Sequence, residues 1–507
     1  MRIDGKTRAK TDTRTRLRRL AGLLLALGLL GPACAPVAQS PQGTPPPSGE
    51  RSGRGKAADQ ADQSREATGP GTQVVIYASQ AEPEALPLVW EIRKIALVRS
   101  DGNQIALPGT EVVLKTGDLN RGQHLVAITE APAGAYTGLA IFTRAVYFED
   151  TRATIYDAAN VVAVTHSFSV VAGNAKTLLV TADLAPAGAD RNSFRFEPAI
   201  AIEDEQASPK GKIVYVANEV SSNLSVIDRA TKRVVKTVYV GSRPTALAAE
   251  NRRNRLYIAD SKAGAIYEMD MINQRLLKAT QIEFVDEPVH IEPLPAKDML
   301  MVVNYGSDTV YLVDAFTLEV VDTVEVGDGP VDAVYSAIWD LAFVVNEMDN
   351  TVSVLDLGLE TPAVTDTLDV GLRPSGITID DSMGWLYVSH TSSTELAVIK
   401  LESLSLERSV PVGVGAGDIA FDPYGRRLFL SMMDTNEILC VDPYTGVIIF
   451  TVRLPASPGN LMFDSDEKKL YAAIPSENTV IVVDPLTRAI QYWIETGESP
   501  VAMAIRL

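Results

Sequence analysis

Val214-Tyr215-Val216-Ala217-Asn218, Leu224-Ser225-Val226-Ile227-Asp228 and Val240-Gly241-Ser242-Arg243-Pro244 are three pieces of one unit, and the unit recurs. The second piece returns in segments ending at Asp270, Asp314, Asp356, Lys400, Asp442 and Asp484, with successive endpoints 42, 44, 42, 44, 42 and 42 residues apart. Ten residues before each endpoint lies a second column: Asn218, Asp260, Asn304, Asn346, His390, Met432 and Ile474. A third column is Pro244, Pro288, Pro330, Pro374, Ala416, Pro458 and Pro500. Each unit thus holds four short apolar strands, one after the proline, one rich in tyrosine, one ending in aspartate and one outer strand. Four strands at this period form a propeller blade, and seven units predict a seven-bladed β-propeller.

The phase of the repeat carries a further expectation. It begins at Lys212 with the second strand of a blade, whereas residues 501–506 form a strand of the innermost kind. The two ends of the repeat are therefore expected to share one blade, which removes two free strand edges. On these motifs the repeat resembles the YVTN family of extracytoplasmic and surface propellers over all seven units. That fold is shared with lactonases and quinoprotein-like enzymes, so the resemblance implies a fold and not a chemistry.

The rest of the sequence narrows the class. With 507 residues, 46% of them hydrophobic, the chain has material for two or three domains. A net charge of −18 argues against a nucleic-acid backbone as partner. Two cysteines, Cys34 and Cys440, make no disulfide framework and no zinc or haem motif. Basic residues crowd the first 19 positions, and the apolar run 20–30 and then Gly31-Pro32-Ala33-Cys34 follow, a signal-peptide plan. The run is too short to span a bilayer, which takes roughly 20 residues. A cysteine after small residues resembles a lipobox, which implies lipidation of Cys34 and a partner in the membrane. Ala35 lacks the aspartate that retains such proteins at an inner membrane, so an outer-membrane, periplasmic or surface-facing placement is expected. Residues 35–71, rich in Pro, Ser, Gly, Gln and charge, are expected to be a disordered tether.

Between about 72 and 206, apolar runs such as Val74-Val75-Ile76-Tyr77 and 90–98 are spaced by Gly, Pro and Asp turns without helical periodicity. They predict an antiparallel β-sandwich. Pro132-Ala133-Gly134-Ala135-Tyr136-Thr137 and Phe196-Glu197-Pro198-Ala199-Ile200 resemble a sandwich domain of bacterial lipoproteins related to the transthyretin-like fold, which implies a spacer or adhesive role. His124 and His166 read as isolated residues. The full division is a leader 1–34, a tether 35–71, a sandwich 72–206 and a propeller 207–507, an all-β chain.

The acidic column reads as turn caps, because an Asp side chain can accept from the backbone two residues on. The Asn/Asp column reads similarly at the other turn, as residues that tolerate left-handed backbone and bond locally. Two residues after each proline-column member stand Ala246, His290, Asp332, Gly376, Asp418, Asn460 and Ala502. The YVTN resemblance implies glycine at this place, so His290, Asp332, Asp418 and Asn460 put polar groups beside the channel. Arg243 and Arg373, just before prolines, add charge to the same mouth, and His390, which replaces Asn in its column, is counted with these six as a ligand-binding candidate. No catalytic residue and no cofactor is predicted. A divalent cation held by His290, Asp332 and Asp418 is the metal this pattern allows. The expected function is a lipid-anchored envelope binding or scaffold protein, whose propeller meets an envelope protein or a small polar ligand. The alternative is an extracytoplasmic hydrolase, lyase or quinoprotein-like oxidoreductase with its site at the channel mouth.

Overall fold

The structure is a computed structural model that describes residues 72–81, 87–119, 121–148, 157–158, 161–184, 195–196, 198–205, 211–282 and 286–507. The leader, Cys34 and the tether lie outside the described residues. What is described is all β apart from a four-residue helix, Thr116–Leu119, and a 3₁₀ turn, Pro475–Glu477.

The repeat folds as seven four-stranded antiparallel sheets, the architecture of a β-propeller. Six are consecutive in sequence, here called blades 2 to 7: residues 244–281, 288–325, 330–369, 374–411, 416–453 and 461–495. Blade 1 combines Ile213–Asn218, Asn223–Asp228 and Arg233–Tyr239 with the C-terminal strand Pro500–Arg506, which pairs antiparallel with Ile213–Asn218. The middle strands read as near-continuous apolar runs because both faces are covered by neighbouring blades. Tyr215, Tyr257, Phe343, Tyr387, Phe429 and Tyr471 recur there, all fully buried. Two of the tyrosines spend their hydroxyls on the next blade: Tyr215 donates to the Met271 carbonyl at 2.9 Å and Tyr257 to that of Ala315 at 3.1 Å.

The acidic column caps its turns. Asp314 Oδ1 accepts from the backbone N–H of Phe316 at 2.9 Å and of Thr317 at 2.8 Å, and Asp228, Asp270 and Asp442 repeat the pattern. The Asn column bonds locally, but the left-handed backbone expected of it lies elsewhere. Asn218 and Asn346 are buried at strand ends and clasp the following strand, Asn346 Nδ2 donating to Thr351 and Ser353 at 2.9 Å each. The left-handed residue comes four positions later, at Ser222, Asp308, Asn350, Asn436 and Asn478.

The seam between blades 7 and 1 differs from the other six. In the turn position after the capping aspartate, blades 2 to 7 carry Met271, Ala315, Leu357, Leu401, Pro443 and Pro485, whereas blade 1 carries Arg229. Arg229 is 1% exposed and forms an ion pair with the fully buried Asp464 of blade 7, with Asp466 at 3.2 Å and Glu467 at 3.6 Å. Lys212 and Lys232 reach Asp466 and Glu467 across the same seam.

The residues before 206 form two main sheets. One is ordered Ala199–Asp204, Ala175–Asp183, Gln73–Gln80, His124–Glu130. The other is ordered Gln104–Ala106, Leu88–Arg99, Gly134–Phe148, Val161–Val170, with Val112–Lys115 also on Leu88–Arg99. They bury their facing sides in one core that includes Val74, Ile76, Leu178, Trp90, Tyr136 and Phe168. Tyr136 donates to the Pro132 carbonyl at 2.7 Å, which fixes the turn in the Pro-Ala-Gly-Ala-Tyr segment.

The expectation of a purely antiparallel domain is corrected here: Gln73–Gln80 and Ala175–Asp183 run parallel over eight residue pairs, as does the short pair Asp157–Ala158 and Arg195–Phe196. The physical reason is burial on both faces, the usual condition of parallel strands. Val74, Ile76 and Ala78 face the domain core, while Val75 and Tyr77 pack into the propeller.

Candidate functional site

Each of five innermost strands leaves its ladder just after the proline column. Register shifts fall between Pro244 and Ala246, Pro288 and His290, Pro330 and Asp332, Pro374 and Ile377, and Ala416 and Ile419. Proline has no N–H to give the ladder, and a bulge re-aims the side chains that follow it. Those side chains line an axial cavity of about 650 Å³, whose wall includes His290, Glu292, Asp332, Asp418 and Asn460.

Within this wall the polar groups link one blade to the next. His290 Nδ1 of blade 3 lies 2.8 Å from Asp332 Oδ1 of blade 4. Asp332 Oδ2 accepts the Ile377 N–H of blade 5 at 3.0 Å, at the register shift of that strand. Asp418 of blade 6 accepts from Leu461 N at 2.7 Å and Asn460 Nδ2 at 2.8 Å, at the start of blade 7. It also takes its neighbour Ile419 N at 2.7 Å. Both aspartates therefore clip adjacent blades together. Blade 5 contributes Gly376 because a Cβ there would stand 2.8 Å from the Gly417 carbonyl oxygen.

Glu292, absent from the expectations drawn from sequence, completes the wall. It sits two residues beyond His290 on the same strand face, with its Oε2 4.0 Å from His290 Nε2. The period-2 rule applied one step further along Pro288–Leu294 would have found it.

Enclosure by the ring of strands controls the charges. Glu292 keeps 35% of its side chain exposed, but toward the channel. Confinement, opposed by His290 and aided by Asp332, pushes its carboxyl up to about 7. Burial pulls the His290 imidazole toward neutral, and the hydrogen bond and charge of Asp332 overcome it, leaving His290 above the ordinary histidine value. Burial and the Asp332 charge raise Asp418 against three hydrogen bonds that favour its ionised form. Two buried polar atoms in this wall, His290 Nε2 and Asn460 Oδ1, have no hydrogen-bond partner.

The remaining sequence candidates lie elsewhere. His390 is 1% exposed, with Nδ1 2.9 Å from the Glu395 carbonyl and Nε2 accepting from Gly371 N at 2.9 Å. It is a turn clasp standing in for Asn, and burial lowers its pKa. His390→Asn is expected to keep the fold within about 1 kcal/mol and to leave channel binding unchanged, as thermal unfolding and titration would show. Arg243 and Arg373 lie on the rim, half exposed, and pair with Glu219 and Glu347 of the preceding blades. Among the described residues, no three or more His, Cys, Asp or Glu side chains are grouped to hold a metal ion. His124 and His166 are not isolated: His124 meets Glu495 of blade 7 at 2.9 Å and His166 stands 3.4 Å from Asp204.

With this geometry in hand, the comparisons with known proteins place the fold. A family model described as "Lactonase, 7-bladed beta-propeller" matches residues 289–482. The repeat is a β-propeller. Among solved structures, Kuenenia stuttgartiensis hydrazine synthase is 16% identical with a TM-score of 0.50, covering 55% of this chain and 93% of that one. A functionally unknown protein from Desulfotomaculum acetoxidans DSM 771 is 11% identical with a TM-score of 0.52, covering 58% and 98%. At these identities the likeness concerns the fold alone. No curated protein matches.

Proposed function

We propose that the propeller binds a small polar ligand in its axial channel, and that the chain is an exported, lipid-anchored binding or scaffold protein of the cell envelope. The observation that carries the channel assignment is the convergence of five polar side chains from four blades, His290, Glu292, Asp332, Asp418 and Asn460, on the wall of one 650 Å³ cavity, the kind of concave site with a few convergent polar groups that small ligands occupy. In this reading residues 72–206 form a β-sandwich of the transthyretin-like type, residues 207–507 form a YVTN-type ring, and Cys34 carries the lipid.

A second reading, hydrolysis of a small ester or lactone, is favoured by one observation: the lactonase match spans His290, Glu292, Asp332, Asp418 and Asn460. Asp332 on Nδ1 would fix the imidazole so that Nε2 takes a proton from water, and Glu292 would return one to the leaving oxygen. One experiment separates the two functions. The purified chain is titrated with, and assayed for turnover of, a panel of chromogenic esters and small lactones, alongside His290→Ala. Turnover that falls at least about 100-fold in the variant establishes hydrolysis. Saturable binding without turnover, lost in the variant, supports binding alone. Neither binding nor turnover in the wild type sinks the channel assignment. Acylated, membrane-bound wild type beside released Cys34→Ala would support the anchor; two soluble, unmodified proteins would remove it.

A further inference from the structure

We propose that the N-terminal two-sheet domain is a clamp on the seam where the propeller ring closes. Among the described residues, seven apolar cores separate the seven blades, and the six between consecutive blades from 1 to 7 contain propeller residues alone. The seventh, between blades 7 and 1, also contains Val75 and Tyr77, with Leu125, Ile128 and Leu179 packed against it. Val75 and Tyr77 are fully buried there beside Val214 and Val216 of blade 1 and Tyr471 of blade 7.

Polar contacts grip both sides of the same seam. On blade 1, Gln73 donates to the Ser221 carbonyl at 2.8 Å and accepts from Asn223 Nδ2 at 3.0 Å. Gln123 imitates a fifth strand for the outer edge of that blade, its Oε1 accepting from Val234 N at 2.8 Å and its Nε2 donating to Val234 O at 3.1 Å. Thr177 Oγ1 accepts from Thr237 N at 2.7 Å. On blade 7, Glu495 accepts the Leu125 N–H at 2.7 Å and lies 2.9 Å from His124 Nδ1. Separating the first and last blades therefore forces the domain to release one of them, which exposes part of its apolar face and breaks the bonds on that side. Among the described residues, the domain adds nothing to the other six cores.

This role differs from a spacer, which would touch the propeller little and leave its seams alike. The test is hydrogen exchange on the full chain, comparing wild type, Tyr77→Ala and the milder Gln123→Ala. Strands Ile213–Asn218 and Pro500–Arg506 report the seam, and Leu341–Asn346 of blade 4 serves as reference. The expected result is exchange at least about tenfold faster at the seam with the reference unchanged. Equal protection at the seam in both variants, or a uniform rise over all blades, would overturn the clamp. If Tyr77→Ala does not fold, Gln123→Ala alone still decides between clamp and spacer, since it removes two surface-edge hydrogen bonds and no core.

Discussion

Arg229→Ala is expected to destabilise the chain by about 3–5 kcal/mol, the penalty for leaving a buried charge without its partner. Asp464, fully buried, would lose the guanidinium from Oδ2 and keep only the backbone N–H groups of Asp466 and Glu467 on Oδ1, at 2.9 and 3.2 Å. The nearby Lys212 and Lys232 address Asp466 and Glu467 instead. Urea unfolding should register the loss as a lower midpoint with a similar slope. Replacing both partners separates two explanations. If Arg229→Met with Asp464→Leu recovers most of the stability, the cost came from the stranded carboxylate, and the apolar residues at the Arg229 position of blades 2 to 7 give the neutral alternative. If the double variant stays as unstable as the single one, the pair itself holds the ring together.

The second large effect is a pH dependence of stability set by the channel. Glu292 and Asp418 have native pKa values raised above their unfolded ones. For such carboxyls the native state holds protons the unfolded chain has released, so stability falls as pH rises from about 4 toward 7. His290 is also raised, so its contribution is full below its unfolded value and is lost as pH climbs past the native one. All three push in the same direction. Between pH 5 and 8 the wild type is expected to lose stability steadily, and Glu292→Gln should flatten the profile by up to one proton per molecule. A Glu292→Gln profile parallel to wild type would mean that channel water solvates Glu292 as bulk water does.

Much of this was legible in the sequence, for a physical reason. Blades are stacked units whose hydrogen bonds and turns repeat, so the columns at Asp228, Asn218 and Pro244 survive at a near-constant period. The capping role of Asp314 and its equivalents follows from local chemistry alone, whereas the polar positions His290, Asp332, Asp418 and Asn460 followed from the phase of the repeat and from the glycine the resemblance implies there. What stayed hidden depends on neighbours distant in sequence or on backbone partners. His390 looked like a ligand because its partners, Gly371 and Glu395, offer backbone groups that no composition reveals. The parallel pair was signalled by four apolar residues in a row, Val74-Val75-Ile76-Tyr77, where a half-exposed strand would alternate. Arg229 was visible as the one charged member of an otherwise apolar column, once that column is written out.

The shared first blade has a consequence for synthesis. Its strand Ile213–Asn218 leaves the ribosome early, yet its inner partner Pro500–Arg506 is made almost 300 residues later. At translation rates of about 5–20 residues per second, that wait lasts roughly 15–60 s. During it, a run of apolar residues presents an open edge able to pair with other chains. The ring can close only once Pro500–Arg506 has emerged, so six blades can form on the ribosome while the seventh waits, and deleting residues 501–507 deprives the first blade of its inner strand.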